Sequence, residues 1–478
     1  MMDIRFYIVV LTVYFIIGSV LALISRKFGI KSSIDYFVGS YRLSGFLSAM
    51  TYAATTYSAF MMIGLVGFVY TTGIGAFLFE SAYLVATVIL LKIFAFKVWL
   101  WARRNGWVSP AEMLGSIYGS KLLASVISLV YLVALIPYAT AQLVGLGRLF
   151  EGLSLDYTSG VAFGIVASLI WIILAGIWSV AITDAYQGVW MITAAIAFTA
   201  WIIAFLLPNL GLSLGGAVEA LIKEGTLGIT GFWTPQVFLA FTLPWIFFAI
   251  TNPQVVQRIF MPKSKDALRN MIKYFTLFGA VYTVLVTIIG LFAKSLTLAG
   301  KFPDLTLKRD LVTPTLIQMA NPLLGSIVFV SIVAASISTL DSIVLTLSSS
   351  LFKDILSQVV KVRKELRLVY ATTVALIALI AMVALAKPGF VIELSVLSSV
   401  MLLPLAPITL AAWIKPEKVA GKHKVALLSL LIGVIIGLYA AVVIGPEATF
   451  TMTLLNAPLS FWILIISSII VFLGLKGS

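Results

Sequence analysis

The sequence predicts an all-α integral membrane protein of about thirteen transmembrane helices. Three observations carry that prediction. Of 478 residues, 61% are hydrophobic and only 10% are charged, and mean hydropathy is +1.12. Apolar stretches recur at roughly the 20 residues that cross a bilayer. Basic residues sort by loop, as a membrane topology requires. With no cysteine, disulfides, thiolate nucleophiles and cysteine-ligated metals are excluded. The single histidine, His423, sits in a short basic loop, which argues against a histidine-built metal site.

Hydropathy and breaker residues place the spans near 5–24, 46–70, 75–99, 122–145, 159–178, 181–207, 235–255, 271–295, 322–350, 368–386, 391–413, 424–444 and 455–475. The start, Met-Met-Asp-Ile-Arg-Phe, has no small-residue cleavage site after it and reads as a retained first helix. An odd number of spans puts the termini on opposite sides. Arg26, Lys27, Arg103, Arg104, Arg258, Lys263, Lys265 and Lys415 then share one side with most of the 32 basic residues. Arg5, Arg148, Lys223, Lys294, Lys301, Lys308, Arg309 and Lys387 fall on the other. The positive-inside rule puts the N-terminus outside and the C-terminus in the cytoplasm of a cell (plasma) membrane protein. The formal charge of +14 is thereby a topology signal, with the lipid bilayer as partner and no need for nucleic acid. No obligatory protein partner is evident. The outer loops near 208–234 and 296–321 are too short for a soluble domain and are expected to carry short helices.

The ninth span is chemically unusual. Residues 331–350 hold nine hydroxyl side chains and one carboxylate. On a helix, Ala335, Ser338, Thr339, Ser342, Thr346 and Ser349 share one narrow stripe, with Asp341 on its flank. Two readings stand: close helix packing with hydroxyls bonded to their own carbonyls, or an oxygen cage for a hard cation. Acids at membrane depth cost roughly 2.5–3.5 kcal/mol each on insertion scales and mark function by default. Glu80, Asp184, Asp341 and Glu393 are the candidates. Asp184 reads equally as a helix N-cap, and Glu393, near a membrane face, reads as snorkelling towards water.

The second span, Thr51 to Gly67, is dense in small and hydroxyl residues, and the seventh holds Thr242, Pro244 and Trp245. Both are candidates for interruption at mid-membrane. Two such helices about five spans apart are what an inverted-repeat transporter requires.

Short motifs then follow in order along nearly the whole chain. They are Asp35-Tyr-Phe-Val-Gly-Ser-Tyr-Arg-Leu-Ser-Gly45, Pro137-Tyr-Ala-Thr-Ala-Gln142 and Ile182-Thr-Asp-Ala-Tyr-Gln187. Asn252-Pro-Gln-Val-Val-Gln-Arg258, Pro262-Lys-Ser-Lys265 and Ala334-Ala-Ser-Ile-Ser-Thr-Leu-Asp-Ser342 complete the set. The chain resembles the sodium:solute symporter family, which contains sodium–proline, sodium–pantothenate and sodium–glucose transporters.

The resemblance implies a LeuT-type fold. A first helix and loop (1–45) would precede a five-helix repeat (46–207), an outer loop (208–234), an inverted five-helix repeat (235–413) and two peripheral helices (414–478). It also implies import of a small organic solute, an amino acid, monocarboxylate or pantothenate-like acid, by alternating access with Na+ as coupling ion. The family's shared sodium site maps to the carbonyls of Ala54, Tyr57 and Ala335 and the hydroxyls of Ser338 and Thr339. A second sodium, found in some members, maps to Asp184, Ser338, Asp341 and Ser342. Thr55, Thr56, Ser58, Glu80, Gln142 and Trp245 are expected to wall the solute site. Amides near Thr55–Ser58 would receive a carboxylate if the solute bears one.

The chain departs from the family pattern in two places. Thr56 stands where the proline transporter has an aspartate, and Ala175-Gly-Ile-Trp178 replaces the usual paired glycines. Glu80 matches a glutamate of the sugar-transporting branch, without other sugar-site residues. A proton-coupled symporter using Glu80, Asp184 or Asp341, and a non-transporting sensor on the same fold, are the alternatives. No HExxH and no aspartyl-pair context supports an intramembrane enzyme.

Overall fold

The computed structural model describes residues 4–29, 32–357, 365–445 and 452–476. Among them, eleven helices are long and apolar enough to cross a membrane. Two further pairs, each bent at a short break, bring the total to thirteen. Every span expected from hydropathy has a counterpart, from Arg5–Phe28 to Leu459–Lys476.

Burial grades these helices. The ninth, Pro322–Leu356, is 83% buried, whereas the first and last are 22% buried. That contrast places the hydroxyl-rich helix at the centre and turns the flanking helices' apolar residues to lipid. The sixth, Gly176–Asn209, and the fourth, Lys121–Gly152, lie against the ninth.

The breaks have local causes. In the second span, helix Gly45–Thr56 starts at Ser44, whose hydroxyl accepts the Leu47 amide at 3.3 Å. It stops at Tyr57, which is extended at φ −91°, ψ 95°, and the second half, Phe60–Thr72, leaves at 47°. In the seventh span the interruption falls beyond the expected Thr242–Trp245. Pro244 stays inside helix Pro235–Ile246, and the chain breaks at Phe247 and again at Asn252. Asn252 is extended at ψ 114° because a residue before proline, here Pro253, is pushed out of the helical region. The eleventh span carries a bend not anticipated: Val391–Leu402 and Leu405–Ile414 meet at 52° across Leu403-Pro404.

The fifth and sixth spans form one long helical run, Tyr157–Trp201, interrupted where Gly176 takes φ +55°. One glycine thus suffices where a pair was the expected pattern. A Cβ there would run into the Tyr36 ring and carbonyl.

Both long loops, 208–234 and 296–321, contain the short helices expected of them, Leu214–Lys223 and Val312–Met319. The second loop is locked onto the membrane domain. The Thr313 hydroxyl bonds to the Met62 carbonyl, and the Asp310 carboxylate accepts the Val391 amide at 3.0 Å. Arg309 pairs with Glu393 and lies over the Phe68 and Phe390 rings. Glu393 therefore does not snorkel towards water; a loop arginine comes down to meet it, and it is buried.

Candidate functional site

The break in the second span creates the site. In an unbroken helix the Ala54 and Thr55 carbonyls would receive the amides of Ser58 and Ala59. Here Tyr57 turns away instead, and its ring packs on Phe275, Phe278 and Tyr282 of the eighth span at 5.8, 5.7 and 6.1 Å. The ladder ends with the Tyr57 amide on the Ala53 carbonyl, leaving the Ala54 and Thr55 oxygens to other donors.

Those donors come from the ninth span. Ser338 Oγ donates to the Ala54 carbonyl at 3.0 Å and to the Ala335 carbonyl at 3.1 Å. Thr339 Oγ1 donates to the same Ala54 oxygen at 2.9 Å and lies 3.5 Å from the Thr55 oxygen. Four of the five oxygens expected around one cation, those of Ala54, Ala335, Ser338 and Thr339, thus meet in one buried place. The fifth expected residue, Tyr57, sits at the break itself, its extended backbone taking its carbonyl out of line with the ladder. All the oxygens are neutral, and carbonyls and hydroxyls of this kind suit a hard, singly charged cation.

One helical turn further along, the second expected group is built around a residue assigned to a loop from sequence. Arg258 is fully buried. Its Nη2 donates to Ser342 Oγ at 2.7 Å and its Nε to Thr51 Oγ1 at 3.3 Å. Thr51 in turn donates to Asp184 Oδ2 at 2.6 Å. Asp184 therefore does not cap a helix: it lies inside the continuous sixth span and is completely buried.

Asp341, next to Ser342 but about 100° round the helix, faces Asp184 and Ser168 instead. Asp184 Oδ1 and Asp341 Oδ1 are both buried without a hydrogen-bond partner among the described residues. The signal for Arg258 was a lone guanidinium inside Val255-Val256…Ile259-Phe260, an apolar run that loop counting overrode.

The expected solute-wall residues divide into two groups. Thr55 donates to Ser342 Oγ at 2.7 Å, and Thr56 donates back to its own helix at the Tyr52 carbonyl, 2.8 Å away. Ser58 Oγ accepts the Phe60 amide at 3.1 Å, and Gln142 Oε1 accepts the Ala59 amide at 3.2 Å. These four hydrogen-bonding groups are spent within the protein. Glu80 and Trp245 are different: each is buried, and Glu80 Oε2 and Trp245 Nε1 have no hydrogen-bond partner among the described residues.

Comparison with known proteins identifies the architecture. The chain is 27% identical over 378 residues to the sodium/pantothenate symporter of Escherichia coli, covering 76% of each chain. It is 27% identical over 371 residues to the sodium/proline symporter of Haemophilus influenzae, covering 73% of this chain and 70% of that one. Among solved structures, a Na+-coupled sialic acid symporter in a substrate-bound outward-open state superposes with a TM-score of 0.81. It does so at 16% identity, over 98% of this chain and 96% of that one, so the two share the LeuT-type fold. The sequence model of the sodium:solute symporter family matches residues 36–433, which take in both broken helices and the hydroxyl stripe. This multi-pass membrane protein, with a break in its second span facing a hydroxyl-rich ninth, belongs to the sodium:solute symporter family.

Proposed function

We propose that this chain imports a small organic solute, drawn along by sodium, through alternating access. The observation that carries the reading is the meeting of the Ser338 and Thr339 hydroxyls at the Ala54 carbonyl, an oxygen the break has released. Sodium would lie between these oxygens, with the Ser338 and Thr339 hydroxyls keeping their protons but turning them away to offer lone pairs, and the Ala335 and Tyr57 carbonyls completing its shell. It would then tie the second span to the ninth. Coupling requires sodium to bind the outward-facing arrangement better and each ligand to strengthen the other. An ion shared by two helices that move apart has that property.

A second sodium would bind between the unpartnered Oδ1 atoms of Asp184 and Asp341. Ser342, already engaged by Thr55 and Arg258, would act there indirectly. The solute would lie beside the break, near Ser58, Glu80, Gln142 and Trp245, with the backbone at Thr55 and Thr56. The inverted repeats would run from 46 to 207 and from 235 to 413. The basic loops would face the cytoplasm, with the N-terminus outside a cell membrane.

Uptake into proteoliposomes under an imposed sodium gradient tests the reading. Accumulation of an amino acid, a short carboxylate or pantothenate should require sodium. Accumulation that follows a pH gradient and ignores sodium would assign the chain to proton coupling instead.

A further inference from the structure

Of the four acids expected at membrane depth, Asp184 meets Arg258 through Thr51 and Glu393 pairs with Arg309. Asp341 belongs with Asp184 to the second sodium site proposed above. Glu80 stands apart. It is 1% exposed, and its carboxylate has no hydrogen-bond or ion-pair partner among the described residues.

Its surroundings are aromatic. Trp245 lies 5.2 Å from Tyr83, 5.0 Å from Phe60, 5.0 Å from Phe248 and 6.0 Å from Phe79, between ring centroids. Glu80 lies one turn before Tyr83 on the same helix, Gly75–Asn105, and both are buried. The Tyr57 and Tyr83 hydroxyls and Trp245 Nε1 are buried and, like the carboxylate, unpartnered.

The helix terminus beside this cluster is in the opposite condition. The Ala59 amide is taken by Gln142, the Phe60 amide by the Ser58 hydroxyl, and the Met61 amide by the Ser58 carbonyl at 3.0 Å. Three amides just beyond the break are thus satisfied from within and are not offered to an anionic group. What the site lacks is a cation for Glu80 and acceptors for the indole and phenol groups.

We infer that the solute carries a positively charged amine, held by the Glu80 carboxylate and by the ring faces of Trp245 and Tyr83. A buried carboxylate is stable when an ammonium accompanies it, and aromatic faces attract such a cation strongly once water is excluded. The unpaired Trp245 N–H and tyrosine hydroxyls suit an acceptor on the same molecule. The class that supplies both is a zwitterionic amino acid, in preference to a pantothenate-like anion or a neutral sugar. This rests on the symport reading above and narrows its solute.

The test is thermal stabilisation of the purified full-length protein, in sodium and in potassium buffer. L-amino acids, glycine betaine and choline are compared with propionate, pantothenate and glucose. At least one amine-bearing probe is expected to raise the melting temperature in sodium, while the last three leave it unchanged. Glu80→Gln should weaken the amine's apparent affinity at least tenfold and keep the shift produced by sodium alone, which also shows that the variant is folded. Stabilisation by propionate, pantothenate or glucose, no response to any amine, or an unaltered amine affinity in Glu80→Gln would each overturn the inference. The sodium-only shift separates the two readings. If it persists in the wild type and vanishes in Ser338→Ala/Thr339→Ala, the ion site stands even where the amine assignment falls.

Discussion

Arg258 donates from Nη2 to Ser342 Oγ at 2.7 Å, into an oxygen that already receives the Thr55 hydroxyl at 2.7 Å. Both lone pairs of that hydroxyl are thereby used. The same guanidinium reaches Asp184 through Thr51, so the second, sixth, seventh and ninth spans join at one buried cation.

Removing that cation should leave Asp184 buried with no compensating charge. Arg258→Ala is expected to destabilise the protein by on the order of 3 kcal/mol. Asp184→Asn should also destabilise, and the double variant should lose less than the sum of the two. Thermal denaturation of the four proteins in detergent, treated as a double-mutant cycle, measures the coupling. Strict additivity would show that Thr51 carries no interaction between them.

Ser338→Ala/Thr339→Ala removes both hydroxyls from the Ala54 carbonyl and leaves the helix backbone intact. Insertion into the membrane should be normal, while apparent sodium affinity for uptake falls tenfold or more, about 1.4 kcal/mol at least. Sodium titration of initial uptake rates provides the check. An unshifted midpoint would place the ion elsewhere.

Gly176 holds a left-handed conformation against the Tyr36 ring and carbonyl. Gly176→Ala should cost about 2 kcal/mol or more, since the backbone penalty alone is ~1–2 kcal/mol for an L-residue and the methyl group has no room. Gly215, in loop helix Leu214–Lys223, has open space around it. Gly215→Ala is expected to stabilise by about 0.5 kcal/mol. Melting temperatures of the two variants should move in opposite directions.

Asp310 belongs to the loop between the eighth and ninth spans, and burial pushes its carboxyl up from 3.8 to about 6. A carboxyl raised in the folded state binds its proton more tightly there than in the unfolded chain. Its contribution is fully present below about pH 4 and is lost as pH rises through about 6, by up to about 3 kcal/mol. Asp310→Asn keeps an oxygen for the Val391 amide and should flatten stability across that window. Melting curves from pH 4 to pH 7 decide it; an unchanged slope would mean that Asp310 titrates at its ordinary value.

Hydropathy by itself determined the thirteen spans and the membrane class, because it is set by transfer into lipid, one residue at a time. The stripe at Ala335, Ser338 and Thr339 was legible too, since helical periodicity alone puts these residues on one face. Tertiary structure decided what that face meets. Only packing could show that the Ala54 carbonyl is released towards it, that the seventh span yields at Phe247 and Asn252 and not at Pro244, and that Leu403-Pro404 bends the eleventh. Arg258 marks the limit most clearly. Loop counting treats a basic residue near a span end as solvated, yet here three neighbouring spans supply Thr51, Asp184 and Ser342 to hold it in the interior. A charge is stable at membrane depth only through partners distant in sequence, and those are specified by the fold alone.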